Sequence, residues 1–108
     1  MTLEEYQRAA ARTMNPGLGD DERLMDAAAG LAEEAGEVLG IVRKHLYMRH
    51  RLDRERVANE LGDVLWCLAA VSTSLGVTLE EVAAKNVEKL GRRYPQGYSD
   101  EASRARVD

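Results

Sequence analysis

The sequence contains no phenylalanine, one cysteine, two prolines and two histidines in 108 residues. Each shortage narrows what the chain can be. With aromatics at 5%, its core must be built from Leu, Val and Ala, which suits packed helices better than a β-sandwich. Cys67 stands alone, so an internal disulfide and a cysteine zinc cluster are both excluded. His45 and His50 are five residues apart and fall on different faces of a helix, so they do not supply a zinc pair. No apolar run approaches the roughly 20 residues of a membrane span, and no membrane partner is expected. The opening MTLEEYQRAA lacks the basic start and apolar stretch of a leader, which makes the cytoplasm the expected location. Basic charge is not in excess either. Fifteen basic and 19 acidic residues give a net −4, against the basic face that a duplex nucleic-acid binder presents.

What is present is 44% apolar and 31% charged residues, enough for one domain with little core to spare. Assembly into a homodimer, or a tetramer built from dimers, would help such a chain bury apolar surface. Residues 1–98 are expected to form the domain, with 99–108 a flexible C-terminal tail of irregular structure. Four helices are predicted. Thr2 with Glu5 has the form of a capping box opening the first, which Asn15-Pro16-Gly17 ends. The second runs from about Asp21 to Met48 with an apolar stripe at Leu24, Ala28, Leu31, Ala35, Val38 and Val42. The third follows Asp53 as N-cap, from about Arg54 to Leu75, with a stripe at Val57, Leu61, Val64, Leu68, Val71 and Leu75; Gly76 ends it. The fourth starts at a second capping box, Thr78 with Glu81, and reaches about Leu90. The expected fold is all-α, a four-helix bundle built on a long antiparallel helical hairpin.

Among the 19 acidic residues only two pairs lie three apart, Glu34 with Glu37 and Glu60 with Asp63. Each sits mid-helix, beside an apolar stripe, on neighbouring helices. Residues three apart point nearly the same way, so four carboxylates would converge on one groove. Ionised and unpaired there, they would cost several kcal/mol each (about that order). Solvent, basic partners or divalent cations could relieve this. An all-oxygen cluster suits the hard ions Mg²⁺ or Mn²⁺, while a plain solvated helix face is the competing reading. Glu33, four before Glu37, could be a further ligand, a base or surface charge.

EEAGEV followed by ELGDVLW resembles the MazG-type all-α nucleoside triphosphate pyrophosphohydrolases. Their EExxE and ExxD motifs read here as Glu33-Glu34-Ala35-Gly36-Glu37 and Glu60-Leu61-Gly62-Asp63, and KNVEKLGRRYPQGY resembles the family's last helix and the loop after it. The resemblance implies hydrolysis of a (d)NTP to the monophosphate and pyrophosphate. It implies that Glu34, Glu37, Glu60 and Asp63 hold Mg²⁺, with Mn²⁺ as a substitute, and that Glu33 or Glu37 acts as general base. Asn86 and Lys89 would meet the phosphates or sugar; lysines near a helix C-terminus also complement its dipole. Arg93 would take phosphate and Tyr94 would stack on the base, unless the loop only staples the chain end to the bundle. Trp66 either stacks on the base or packs. Gly36 and Gly62, costly inside a helix by about 1 kcal/mol, are expected to allow close helix approach near the metals. Phosphoribosyl-ATP pyrophosphatases share the architecture and motifs. A catalytically silent helical module that keeps a metal for structure is the rival outside the enzymes.

Overall fold

The computed structural model describes residues 1–106. Five helices follow one another: α1 (Leu3–Ala11), α2 (Asp20–Met48), α3 (Arg54–Leu75), α4 (Leu79–Arg93) and α5 (Asp100–Ala105). The first four are those predicted from the sequence. The fifth occupies the segment expected to be irregular, with the Ser99 hydroxyl accepting from the Ala102 N–H as its N-cap. Residues 107 and 108 of that tail lie outside the described residues. Among the described residues no single helix is long and apolar enough to cross a membrane.

Local chemistry sets the helix ends. Thr2 Oγ1 accepts from the Glu5 N–H, and Asp53 from the Arg56 N–H. At α4 both halves of a capping box form, Thr78 Oγ1 with the Glu81 N–H and Glu81 Oε2 with the Thr78 N–H, each at 3.0 Å. Gly76 ends α3 at φ 72°, a left-handed conformation that costs a residue without a Cβ nothing. Arg49 adopts φ 59° after α2, where the His45 ring donates from Nδ1 to the His50 carbonyl at 2.8 Å. His45 is thus half-buried and ties down the hairpin tip.

α2 and α3 form the antiparallel hairpin; α1 packs on α3 and α4. The predicted stripe of α3 divides in two. Val57, Val64 and Val71 are half-buried, whereas Leu61, Leu68 and Leu75 are 52%, 41% and 59% exposed. On α2 the predicted stripe holds at Leu24, Leu31 and Val38 and lies one residue off at its other three positions. Ala27, Leu31, Glu34, Val38 and Ile41 are buried or half-buried, and Ala28, Ala35 and Val42 are exposed. Glu34 therefore sits in the seam itself. The small residues Ala69, Ala70 and Cys67 bring the helices together. The close approach is at Gly30, where an added Cβ would stand 3.2 Å from Cys67 Sγ; around Gly36 and Gly62 there is open space, so the expectation for those two glycines is corrected.

Candidate functional site

Two helices supply the site. Glu34 comes from the middle of α2, and Glu60 and Asp63 from the first half of α3, three residues apart and so on one face. One carboxylate oxygen from each of the three lies within 4.8 Å of the others. Glu34 and Glu60 are half-buried and Asp63 is exposed. The two ion pairs seen among the described residues, Arg8–Glu4 at 3.1 Å and Arg92–Glu88 at 2.8 Å, lie elsewhere. Glu34 shows the strain of this crowding. Its carboxyl is pushed above its ordinary value, first by partial desolvation in the seam, then by Asp63, by a hydrogen bond with Glu60, and by the charges of Glu60 and Glu33. Three hard oxygen donors that repel one another are a set that a divalent cation could satisfy.

The same field reaches residues for which sequence spacing gave no site role. Burial pushes the Cys67 thiol up, and so do Glu34, Asp63, Asp26 and Glu33 in that order. Tyr6 of α1 is raised by burial and then by Asp63. Tyr6 therefore stands near the carboxylates, a tertiary consequence of α1 packing on α3 that no periodicity along α1 announces.

The other predicted site residues separate into groups. Glu37 is exposed one turn beyond Glu34 and is not among the three converging carboxylates; Glu33 is exposed beside Glu34. Trp66 has a partner inside the fold, its Nε1 donating to Thr13 Oγ1 at 2.7 Å while the ring packs against the Ala10–Ala69–Leu79 core. Asn86 and Lys89 line an open groove along α4. Arg93 is half-buried at the end of α4, and the Tyr94 ring lies 5.6 Å from that of Tyr98. The axis of α4 turns by 103° from that of α3. Twelve residues separate Asp63 from Leu75 and ten separate Leu79 from Lys89, so at 1.5 Å per residue Lys89 lies about 20 Å from Asp63 along these axes. Within one chain the structure joins Glu34, Glu60 and Asp63 but does not bring Asn86 and Lys89 to them.

Residues 24–98 match the MazG nucleotide pyrophosphohydrolase domain, and they contain both acidic motifs and all of α3 and α4. The chain belongs to the MazG family. Gene 37 protein of Mycobacterium phage L5 is 36% identical over 105 residues, covering 90% of this chain and 92% of that protein. The uncharacterized protein YvdC of Bacillus subtilis (strain 168) is 34% identical over 73 residues, 59% of this chain and 69% of its own. No solved structure matches the chain. The MazG domain is thus carried here on the all-helical fold expected from the sequence, with Glu34, Glu60 and Asp63 drawn from two helices into one cluster.

Proposed function

We propose that the protein is a Mg²⁺-dependent nucleoside triphosphate pyrophosphohydrolase that cleaves a (d)NTP to the (d)NMP and pyrophosphate, clearing unwanted nucleotides from the cytoplasmic pool. The observation that carries this reading is the convergence of Glu34, Glu60 and Asp63 within 4.8 Å, in a chain that matches the MazG nucleotide pyrophosphohydrolase domain.

Glu34, Glu60 and Asp63 hold the ion, and Glu37, one turn on, completes the donor set. Bound there, Mg²⁺ (or Mn²⁺) inverts the local field, so that a triphosphate is attracted, and lowers the pKa of a water. A carboxylate oxygen of Glu33 or Glu37, both exposed beside the seam, takes the proton from the water that attacks phosphorus. Asn86, Lys89 and Arg93 bind phosphate or sugar, and Tyr94 offers its ring to the base. Trp66, held by Thr13, keeps the face of α3 that carries Asp63 in place.

Incubating the pure protein and Mg²⁺ with each canonical NTP and dNTP, dUTP, oxidised nucleotides and phosphoribosyl-ATP, and identifying the products, tests this. The expected products are a nucleoside monophosphate and pyrophosphate. Turnover of phosphoribosyl-ATP alone would move the enzyme to the related class, and no turnover of any of them would leave a silent metal-binding module.

A further inference from the structure

Charge is not spread evenly along this chain. Residues 43–56 hold six of the 15 basic residues and two of the 19 acids, which gives +4 there; the nine basic and 17 acidic residues elsewhere give −8. These residues form the tip of the hairpin: the end of α2, the linker 49–53 and the first turn of α3. The net −4 of the whole chain hides the patch, because the larger part has the opposite sign.

The tip stands away from the rest of the fold. α1 and the turn after it reach α3 and the loop beyond at Trp66, Thr73 and Val77, towards the other end of the hairpin. Of residues 43–56 all but His45 and Leu52 are exposed. Arg43, Lys44, Arg49, Arg51, Arg54 and Arg56 have no side-chain partner among the described residues. Asp53 is engaged as the N-cap of α3, and neither it nor Glu55 forms an ion pair among those residues. The backbone beneath these charges is held in place. The Lys44 carbonyl accepts from the Arg49 and His50 N–H groups, and the His45 ring holds the His50 carbonyl at 2.8 Å. Six cations are thus kept together without counter-charge, and their mutual repulsion is relieved by an anion.

The side chains say which kind. Five of the six are arginines, whose planar fork matches two oxygens of a phosphate. Tyr47 is 79% exposed, and Arg43 lies four residues before it on the same helix face. Cations beside an open ring suit a single strand, whose phosphates meet the cations and whose unstacked bases meet the ring. A duplex keeps its bases stacked and gives Tyr47 no face to cover. A lipid surface fits less well. The linker is the farthest point of the hairpin and reads Arg49-His50-Arg51-Leu52-Asp53; its one apolar side chain, Leu52, is half-buried, and Leu46 and Met48 lie behind it. The tip is also distinct from the carboxylate cluster. Arg49 is 15 residues beyond Glu34, about 22 Å along α2. Arg56, one turn before Glu60, is the cation nearest the cluster and is left out of the strand's contacts.

We infer that the hairpin tip binds single-stranded nucleic acid, with Arg43, Lys44, Arg49, Arg51 and Arg54 on backbone phosphates and Tyr47 stacked on a base. The negative charge of the rest of the chain confines the strand to the tip. This binding needs no metal and is independent of the proposed hydrolysis.

Fluorescence anisotropy of a labelled single strand of about 12 nucleotides, titrated with the full chain in EDTA so that the cluster holds no metal, tests it. Binding is expected at low salt. The slope of log affinity against log salt should be about −3.5 for five phosphate contacts and about −2 in the double variant Arg49→Gln/Arg51→Gln. Tyr47→Ala should weaken binding about tenfold and Tyr47→Phe should not, since the ring makes the stack. All three variants should keep wild-type NTP turnover and helix content. No binding at about 50 mM salt, an unchanged slope in the double variant, or equal affinity for a blunt duplex would overturn the inference. Binding to phosphatidylserine vesicles but not to the strand would overturn it too, and make the tip a membrane contact. Turnover lost in the double variant, with no strand bound by the wild type, would assign these arginines to the substrate instead. A strand bound as expected by a protein that hydrolyses no NTP would keep this inference and refute the proposed activity.

Discussion

The elbow of the molecule and the middle of its hairpin handle polar groups in opposite ways. At the elbow a set of polar groups answer one another: Gln7 bridges Thr73, Val77 and Leu79, and Thr78 and Glu81 cap each other, while the buried Ser74 hydroxyl nearby has no hydrogen-bond partner among the described residues. In the middle of the hairpin three carboxylates crowd within 4.8 Å, and Glu34 holds its proton more tightly than an ordinary carboxyl group does. The first arrangement stabilises a geometry. The second destabilises the empty protein and suits a cation. The contrast teaches that polar groups used to fix a geometry are paired within the fold, whereas the seam holds charge that the fold does not pair.

Five measurements can break that contrast. The largest effect is expected from Asp63→Asn, with turnover falling by about three orders of magnitude as several kcal/mol of transition-state charge stabilisation is lost, and with the fold intact by circular dichroism. Glu37→Gln is expected to abolish turnover as well; wild-type rates in that variant would remove Glu37 from the site. Gln7→Ala should act on the other region, lowering stability by about 2 kcal/mol because the Leu79 N–H and Val77 carbonyl lose their side-chain partner. Urea unfolding would read this, and an unchanged midpoint would show that the elbow is not fixed by Gln7. Trp66→Phe removes only the bond to Thr13 and should cost about 1 kcal/mol with KM for the nucleotide unchanged. A rise in KM would return Trp66 to the base-stacking role.

The smallest effect is a pH response of the metal-free protein. Because the folded state raises the Glu34 pKa above the ordinary 4.5, its contribution to stability is present at low pH and is lost as the pH rises through the raised value. The melting temperature of Glu34→Gln relative to wild type should therefore climb from about pH 4.5 towards neutrality in the absence of metal, and saturating Mg²⁺ should cancel the climb. A difference that stays flat with pH, or that Mg²⁺ leaves untouched, would mean the crowding is relieved by solvent.

Much of this was legible along the chain. The limits of α3, its Asp53 cap and its Gly76 stop follow from local rules, as do the capping box at Thr78 and the placement of Glu34 beside Glu60 and Asp63. The stripes were legible only as apolar spacing. Periodicity does not distinguish Val64, turned inward, from Leu68, turned out, because both lie within the same broad arc of a helix. Gly30 was missed and Gly36 and Gly62 were misjudged, since which glycine touches a neighbour depends on the rotation of α2 about its axis. Tyr6 carried no signal at all, its approach to Asp63 being a matter of how α1 lies.

By itself the sequence determined an all-helical chain, the ends of its helices, and two acidic motifs that must come within reach of each other on a hairpin. These are short-range matters, governed by backbone hydrogen bonding and by the 3.6-residue turn. Only the tertiary structure decided that Glu34 lies in the seam, that three of the carboxylates converge, and that α4 swings 103° away with its lysines. Those outcomes depend on helix rotation and on the angle at one elbow, which are set by packing between residues far apart in the chain, and local spacing carries no record of either.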